Sequence, residues 1–229
     1  MWVTWRFYLA KDTMDKLKYI VIEGIHGSGK SSVAKEIEKV LQENWVPAKY
    51  LHFPDEKSDL GKIIREVLAD KDLYKNREVL GLLYAAASNR FHIKSKDDGY
   101  IYVLERDAVT SGLIFQKDMP RSVRMEIYKF GIEHLRKMGT VIYVKANKEV
   151  AHKRLTTRND LLSQEENQVW KNKAEDKFIQ EKFDHYTHLY DTEMVPQLEK
   201  LWLSCNIIEN NGTIEEAGQK AIEILKNML

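Results

Sequence analysis

The chain has 229 residues, and its 36 Lys and Arg against 35 Asp and Glu leave a net charge of +1. That length holds one α/β domain with a modest insertion, and the balanced charge supplies no global field toward nucleic acid or an anionic membrane. The lone Cys205 excludes an internal disulfide framework and fits a reducing cytoplasm, and no apolar run approaches the ~20 residues that span a bilayer.

Residues 1–17 open with an aromatic segment, Met1-Trp2-Val3-Thr4-Trp5-Arg6-Phe7-Tyr8. Arg6 interrupts it and no small-residue cleavage site follows, so it reads as an N-terminal extension packed on the surface or at a partner, not as a leader. The domain proper runs from 18 to 229. Ile20 to Ile22 reads as a buried strand, and Ser32 to Leu41 as an amphipathic helix. Between them, Gly24 to Ser31 fits the pattern G-x-x-x-x-G-K-[ST] in full. Gly24, Gly27 and Gly29 can take backbone angles that a Cβ forbids, so successive N–H groups turn inward around a phosphate. Lys30 adds a point charge, the Ser31 hydroxyl is placed to ligate Mg²⁺, and the helix that follows presents its positive dipole end to the same anion. Nucleoside triphosphate binding is the first function the residues imply.

Further along, Trp45 to Pro54 reads as a turn followed by a second short strand halted by Pro54, Asp59 to Leu68 and Val79 to Ile93 as helices, and Tyr100 to Leu104 as a strand with Glu105-Arg106-Asp107 at its carboxyl end. Met119 to Met138 reads as a helix stopped by Gly139, Thr140 to Val144 as a buried strand, and Lys148 to Arg158 as a helix entering a polar stretch to Lys177. Phe183 to Leu201 reads as one helix and Asn206 to Ile208 as a last strand. Thr213 to Leu229 closes the chain, with Thr213 as N-cap and Glu216 three residues on. The alternation predicts an α/β, three-layer P-loop fold: a parallel sheet of about five strands with helices on both faces. Ligands gather beyond the carboxyl ends of such strands, where the glycine-rich turn, Phe53 to Lys57 and Glu105 to Asp107 all fall.

The order of these motifs resembles the thymidylate kinase family of nucleoside monophosphate kinases. The resemblance runs from Lys18 onward and rests on Ile22-Glu23-Gly24 with the glycine-rich loop, Phe53-Pro54-Asp55-Glu56 before Leu60-Gly61-Lys62, Leu82 to Ala87 leading to Arg90, and Glu105-Arg106-Asp107 leading to Thr110-Ser111-Gly112. It implies transfer of the ATP γ-phosphoryl group, with Mg²⁺, to a deoxynucleoside monophosphate, dTMP being the first acceptor to test. On the donor side it implies contacts from Gly24, His26, Gly27, Ser28, Gly29, Lys30, Ser31 and Ser32, from Arg154 and Arg158 in a small lid over 154–177, and from Asn211 and Gly212 beside the adenine. On the acceptor side it implies Phe53, Glu56, Tyr84, Arg90, Arg106 and Ser111, with Glu105 and Ser31 at the metal and Lys30, Glu105 and Arg106 as the catalytic set. Members of the family often form homodimers through surface helices, so a homodimer is expected by analogy.

The chain departs from the family at several of these places. His26 stands where the family carries an acid, and Glu56 where it often has an arginine for the acceptor phosphate. The residues by themselves leave two other readings open. A deoxyribonucleoside kinase, whose acceptor is a bare hydroxyl, needs a carboxylate base, which Glu56 could supply. A nucleotide-binding regulator could keep the cradle and lack acceptor chemistry. Tyr84, at helical spacing with Leu80, Leu83 and Ala87, also suits plain core packing, and Arg154 with Arg158 also suits a solvated helix face.

Overall fold

The computed structural model describes residues 17–70, 77–107, 109, 110, 112, 119–157 and 177–228. The expected extension therefore lies outside the described residues except for Leu17. So do Ser111, Arg158 and the expected lid from 158 to 176.

Five strands form one parallel sheet: β1 (Tyr19–Glu23), β2 (Ala48–His52), β3 (Ile101–Glu105), β4 (Gly139–Lys145) and β5 (Cys205–Glu209), in the spatial order β2-β3-β1-β4-β5. The helices are α1 (Lys30–Glu43), α2 (Asp59–Ala69), α3 (Arg77–Ser95), α4 (Arg121–Met138), α5 (Lys148–Thr157), α6 (Lys177–Leu189), α7 (Val195–Lys200) and α8 (Ile214–Met228). The expected five-stranded α/β architecture is thus the observed one.

The period of two in β1 accounts for the layering. All five of its residues are buried, as a central parallel strand requires, and they serve opposite cores. Ile20 and Ile22 pack with Val33, Ala34, Ile37 and Leu41 of α1 and with Ala217, Ala221 and Leu225 of α8. Tyr19 and Val21 face the other way, among Ile64 of α2, Ala85 and Ala87 of α3, and Tyr128, Ile132 and Leu135 of α4. The helix α1 carries its buried residues at one stripe of spacing three and four, which turns that stripe onto the sheet.

Two boundaries differ from expectation for identifiable reasons. The helix expected from Phe183 to Leu201 is broken by a π-helical turn, Tyr190–Met194, ahead of Pro196. Proline has no N–H to give the ladder, and the wider turn before it accommodates the loss. The helix α4 ends at Met138 with Gly139 as its C-cap, as expected, but Gly139 is extended and opens β4 one residue before the expected Thr140. The cap of α8 is as expected: Thr213 N–H donates to Glu216 Oε2 and Glu216 N–H to Thr213 Oγ1, both at 3.2 Å.

Ile37 has no solvent exposure beneath the sheet. Ile37→Ala should lower unfolding free energy by roughly 2–5 kcal/mol through the cavity it leaves, read as a shifted urea midpoint with an unchanged slope.

Candidate active site

Because β1 lies between β3 and β4, the glycine-rich turn after β1 is flanked by Glu105 on one side and the loops after β4 and β5 on the other. The loop has the backbone its glycines were expected to supply. Gly24, Gly27 and Gly29 have φ of 150°, 79° and 93°, and a Cβ on Gly29 would lie 2.4 Å from Nδ2 of Asn210. Gly29 caps α1 and its carbonyl accepts from the N–H groups of Ser32 and Val33 at 3.1 and 3.0 Å. His26 is exposed at the tip of the turn, whereas Ser28 is buried and its hydroxyl has no hydrogen-bond partner among the described residues. Such a cradle, lined by main chain with an orphaned buried hydroxyl, fits a polyphosphate.

Lys30 is buried behind the loop. Its Nζ donates to Ile25 O at 3.3 Å and stands 3.7 Å from Glu105 Oε1. Burial, reinforced by the charge of Arg106, pulls its pKa down to about 8 against the opposing pull of Glu105 and Glu23. Glu105 behaves in the opposite sense. Burial alone would raise its pKa, but Lys30 and hydrogen bonds from Tyr50 and Ser31 outweigh that and hold the carboxyl below its ordinary value. Glu105 is therefore a buried carboxylate kept ionised at the edge of the phosphate cradle.

Arg106 has φ of 70°, a left-handed conformation unusual for a side chain with a Cβ. Its N–H donates to Ile22 O at 3.0 Å. Its guanidinium donates to Tyr190 OH at 3.0 Å, to Glu23 Oε2 at 3.4 Å and to Gly24 O at 3.3 Å. Glu23, fully buried, also accepts from Tyr190 OH at 3.0 Å and from the Thr110 hydroxyl. Burial and the adjacent Glu23 carboxylate keep the Tyr190 hydroxyl protonated, so it serves as a donor throughout. The ring of Tyr190 stacks on Tyr143 with centroids 5.0 Å apart.

Asp107 is fixed differently. Its Oδ1 accepts from Val109 N–H at 2.8 Å, and Oδ2 lies 3.8 Å from His92 Nε2. Burial, with a lesser push from His134, lowers the His92 pKa to about 3, so this is a neutral contact and not an ion pair.

On the far side of the loop, Arg154 of α5 donates to Ser28 O at 3.4 Å, Asn210 O at 3.0 Å, Asn210 Oδ1 at 3.2 Å and Gly212 O at 2.8 Å. Asn210, buried, donates 2.7 Å to Ser28 O. Asn211 Oδ1 accepts 2.7 Å from Asn147 N–H, in the loop after β4. On the acceptor side, Phe53 is buried after β2, in a cis peptide bond with Pro54, and its ring centroid is 6.4 Å from that of Tyr84 on α3. Glu56 is ion-paired with Arg65 of α2. Arg90 has its guanidinium 3.8 Å from Asp59.

The structure thus brings together Lys30, Ser31, Glu105, Arg106, Arg154 and Gly212 around the loop, and Phe53 with Tyr84. Glu23, Tyr50, Tyr190 and Asn210 belong to the same constellation and were absent from the expected site. Glu23 had a signal, since it closes the apolar run of β1 where a carboxylate is buried by default. Among the described residues, no helix is long and apolar enough to cross a membrane.

A parallel sheet of this strand order, with a phosphate cradle after β1 and an ionised glutamate beside an arginine after β3, defines a P-loop phosphotransferase. The family model described as thymidylate kinase matches residues 22–197. The thymidylate kinase of Caldicellulosiruptor saccharolyticus is 28% identical over 93% of this chain and 98% of its own length. That of Brachyspira hyodysenteriae is 28% identical over 77% of this chain and 86% of its own, and that of Clostridium novyi 29% identical over 64% and 74%. The chain belongs to the thymidylate kinase family, and it is an ATP-dependent phosphotransferase, as the order of motifs implied.

The depressed Lys30 pKa has a consequence for stability. Below pH 8 both folded and unfolded chains carry the proton and the penalty of burying the charge is constant. As pH rises from about 8 toward the unfolded value of 10.5, the unfolded chain binds more protons, so this group makes stability rise. Lys30→Met should remove that rise. The check is the difference in unfolding free energy between wild type and variant, in urea, across that window.

Proposed function

We infer that the chain transfers the γ-phosphoryl group of ATP to the 5′-phosphate of dTMP, giving dTDP. The observation that carries this reading is the pairing of Lys30 with Glu105 on one side of the cradle and of Arg106 with Glu23 beside it, in a chain whose family shares the activity. Residues 18 to 229 form the kinase domain, with 154 to 177 as the lid and 1 to 17 outside the transfer site.

The chemistry needs alignment and charge neutralisation more than a base. A phosphomonoester has a second pKa of about 6, so the acceptor oxygen is already an anion at neutral pH. The main-chain N–H groups of Gly27, Gly29, Lys30 and Ser31 bind the donor phosphates, with His26, Ser28 and Ser32 bordering them. Lys30 neutralises charge that builds toward the leaving oxygen. Arg106 takes the acceptor phosphate. Glu23, Tyr190 and Gly24 hold the plane of its guanidinium, so little reorganisation is required when that anion arrives. Phe53 and Tyr84 wall the nucleoside, with Arg90 and Ser111 at the base and the sugar-phosphate end. Arg154, Asn211 and Gly212 border the adenosine side, with Arg158 as a further donor-side arginine.

Ser31 and Glu105 also suit Mg²⁺. Both offer hard oxygens, they lie close together, and the carboxylate is held ionised. Mg²⁺ is commonly held by one or two carboxylates together with substrate phosphates. When bound, it would draw charge from the donor phosphates. The enzyme is read as cytoplasmic and as a homodimer, on the lone thiol and on analogy.

Glu56 carries the distinction from a nucleoside kinase. Paired with Arg65, its carboxylate is not poised as a base. A coupled ADP-release assay should show turnover with dTMP and none above ATPase background with thymidine. Glu56→Gln should leave turnover within a few-fold, whereas loss of a general base costs roughly 10² or more. Lys30→Ala should reduce transfer to below about 1% while retaining the fold by circular dichroism. Turnover with thymidine, or retained transfer by Lys30→Ala, would contradict the assignment.

A further inference from the structure

Tyr50 sits in β2, at the outer edge of the sheet, and its sequence context is that of an ordinary strand-forming aromatic. Its hydroxyl nevertheless donates 2.6 Å to Oε2 of Glu105, with Ser31 of α1 close to both groups. The remainder of the residue is anchored by α1. The Tyr50 N–H donates 2.8 Å to Glu38 Oε1, and Lys35 Nζ lies 5.8 Å from the ring centroid. Ser31, Lys35 and Glu38 stand at i, i+4 and i+7 of one helix, so a single stripe of α1 lies along Tyr50 and holds its ring and main chain.

The other oxygen of Glu105 is 3.7 Å from Lys30 Nζ, long for a pair of opposite charges that share a buried pocket; unhindered ammonium–carboxylate bonds close to about 2.7–2.9 Å. Resting on the phosphotransferase reading, we propose that Tyr50 is a positioning residue of the transfer site: its hydroxyl holds the Glu105 carboxylate back from Lys30, so that the ammonium stays available to the donor phosphates and the carboxylate stays beside Ser31. Without the hydroxyl, Glu105 turns onto Lys30 and the two charges quench each other. The effect falls on the donor side of the site, because the group that Glu105 would otherwise engage is Lys30 of the phosphate cradle.

The test is Tyr50→Phe, alone and in a Glu105→Gln background, with Tyr50→Met as a second variant that removes the hydroxyl while packing differently. Both single variants should weaken ADP binding measured by calorimetry in EDTA by roughly five- to tenfold, the scale of one ordinary net hydrogen bond. In the coupled assay they should raise KM for ATP and the Mg²⁺ concentration for half-maximal rate by a similar factor, with KM for dTMP unchanged within twofold. In the Glu105→Gln background, the Tyr50→Phe loss should vanish, since no carboxylate remains to restrain. A residue that merely packs would lower the melting temperature and leave the Mg²⁺ dependence and ADP binding as in wild type, and that result overturns the proposal. So does a loss that persists undiminished in the Glu105→Gln background. Wild-type protein without transfer to any nucleotide acceptor would overturn the phosphotransferase reading itself, whereas normal wild-type transfer with an indifferent Tyr50→Phe removes only Tyr50 from the site.

Discussion

The constraint on which the site depends is the burial of Glu23. A carboxylate with no solvent exposure at the carboxyl end of the central strand must be supplied with donors or lose its charge. Three side chains from three parts of the chain meet it: Arg106 after β3, Thr110 beyond it, and Tyr190 from the π-helical turn near the C-terminus. In satisfying that demand they fix one another. Arg106 is drawn across the end of β1 to the carbonyl of Gly24, which is also the first residue of the phosphate cradle. The backbone of Arg106 accepts a left-handed φ to reach this place, a cost of about 1 kcal/mol that the surrounding bonds must over-determine.

A second pairing complements the first. Lys30 and Glu105 face each other from α1 and β3, which are adjacent only because the strand order puts β3 next to β1. Burial lowers the lysine pKa while the lysine helps to hold the glutamate ionised, and the two stand 3.7 Å apart rather than in direct contact. A tight pair would stabilise the empty enzyme and blunt its attraction for a polyphosphate. The looser arrangement, with Tyr50 taking the second carboxylate oxygen, keeps charge in reserve for the ligand. Across the loop, Arg154 and Asn210 brace the outer wall of the cradle through the carbonyl of Ser28, so the loop is supported from both flanks before any nucleotide binds.

Much of this was legible in the chain and some was not, for reasons that differ by residue. The cradle was readable because its requirements are local: glycines where a Cβ cannot fit, then Lys30 and Ser31. The strands were readable because buried parallel strands are short unbroken apolar runs. Their spatial order was not, since parallel strands announce only that they need a crossover, and hence the facing of Lys30 and Glu105 was an inference from resemblance. Asn210 gave no signal beside Asn211 because adjacent asparagines are equivalent in sequence; its burial beneath Gly29 is what marks it. Tyr190 was hidden by an expected regular helix, whose 3.6-residue period gives no warning of the wider turn ahead of Pro196. The pairing of Glu56 with Arg65 spans a turn and two turns of helix, a separation that no periodic pattern marks. The charged contact with Arg65 is the observation that argues against Glu56 as a base.

The central claim is that a donor polyphosphate in the Gly24–Ser31 cradle and an acceptor phosphate on Arg106 share one crevice. It is tested most directly by the crystal structure of the full chain with Mg²⁺ and a bisubstrate analogue in which adenosine and thymidine are joined through a chain of phosphates. The account requires that chain to run from the main-chain amides around Gly29 and Lys30 to the guanidinium of Arg106, with Glu105 and Ser31 at the metal. An analogue bound with Arg106 directed away from the phosphates, or with the thymidine outside the wall formed by Phe53 and Tyr84, would contradict it.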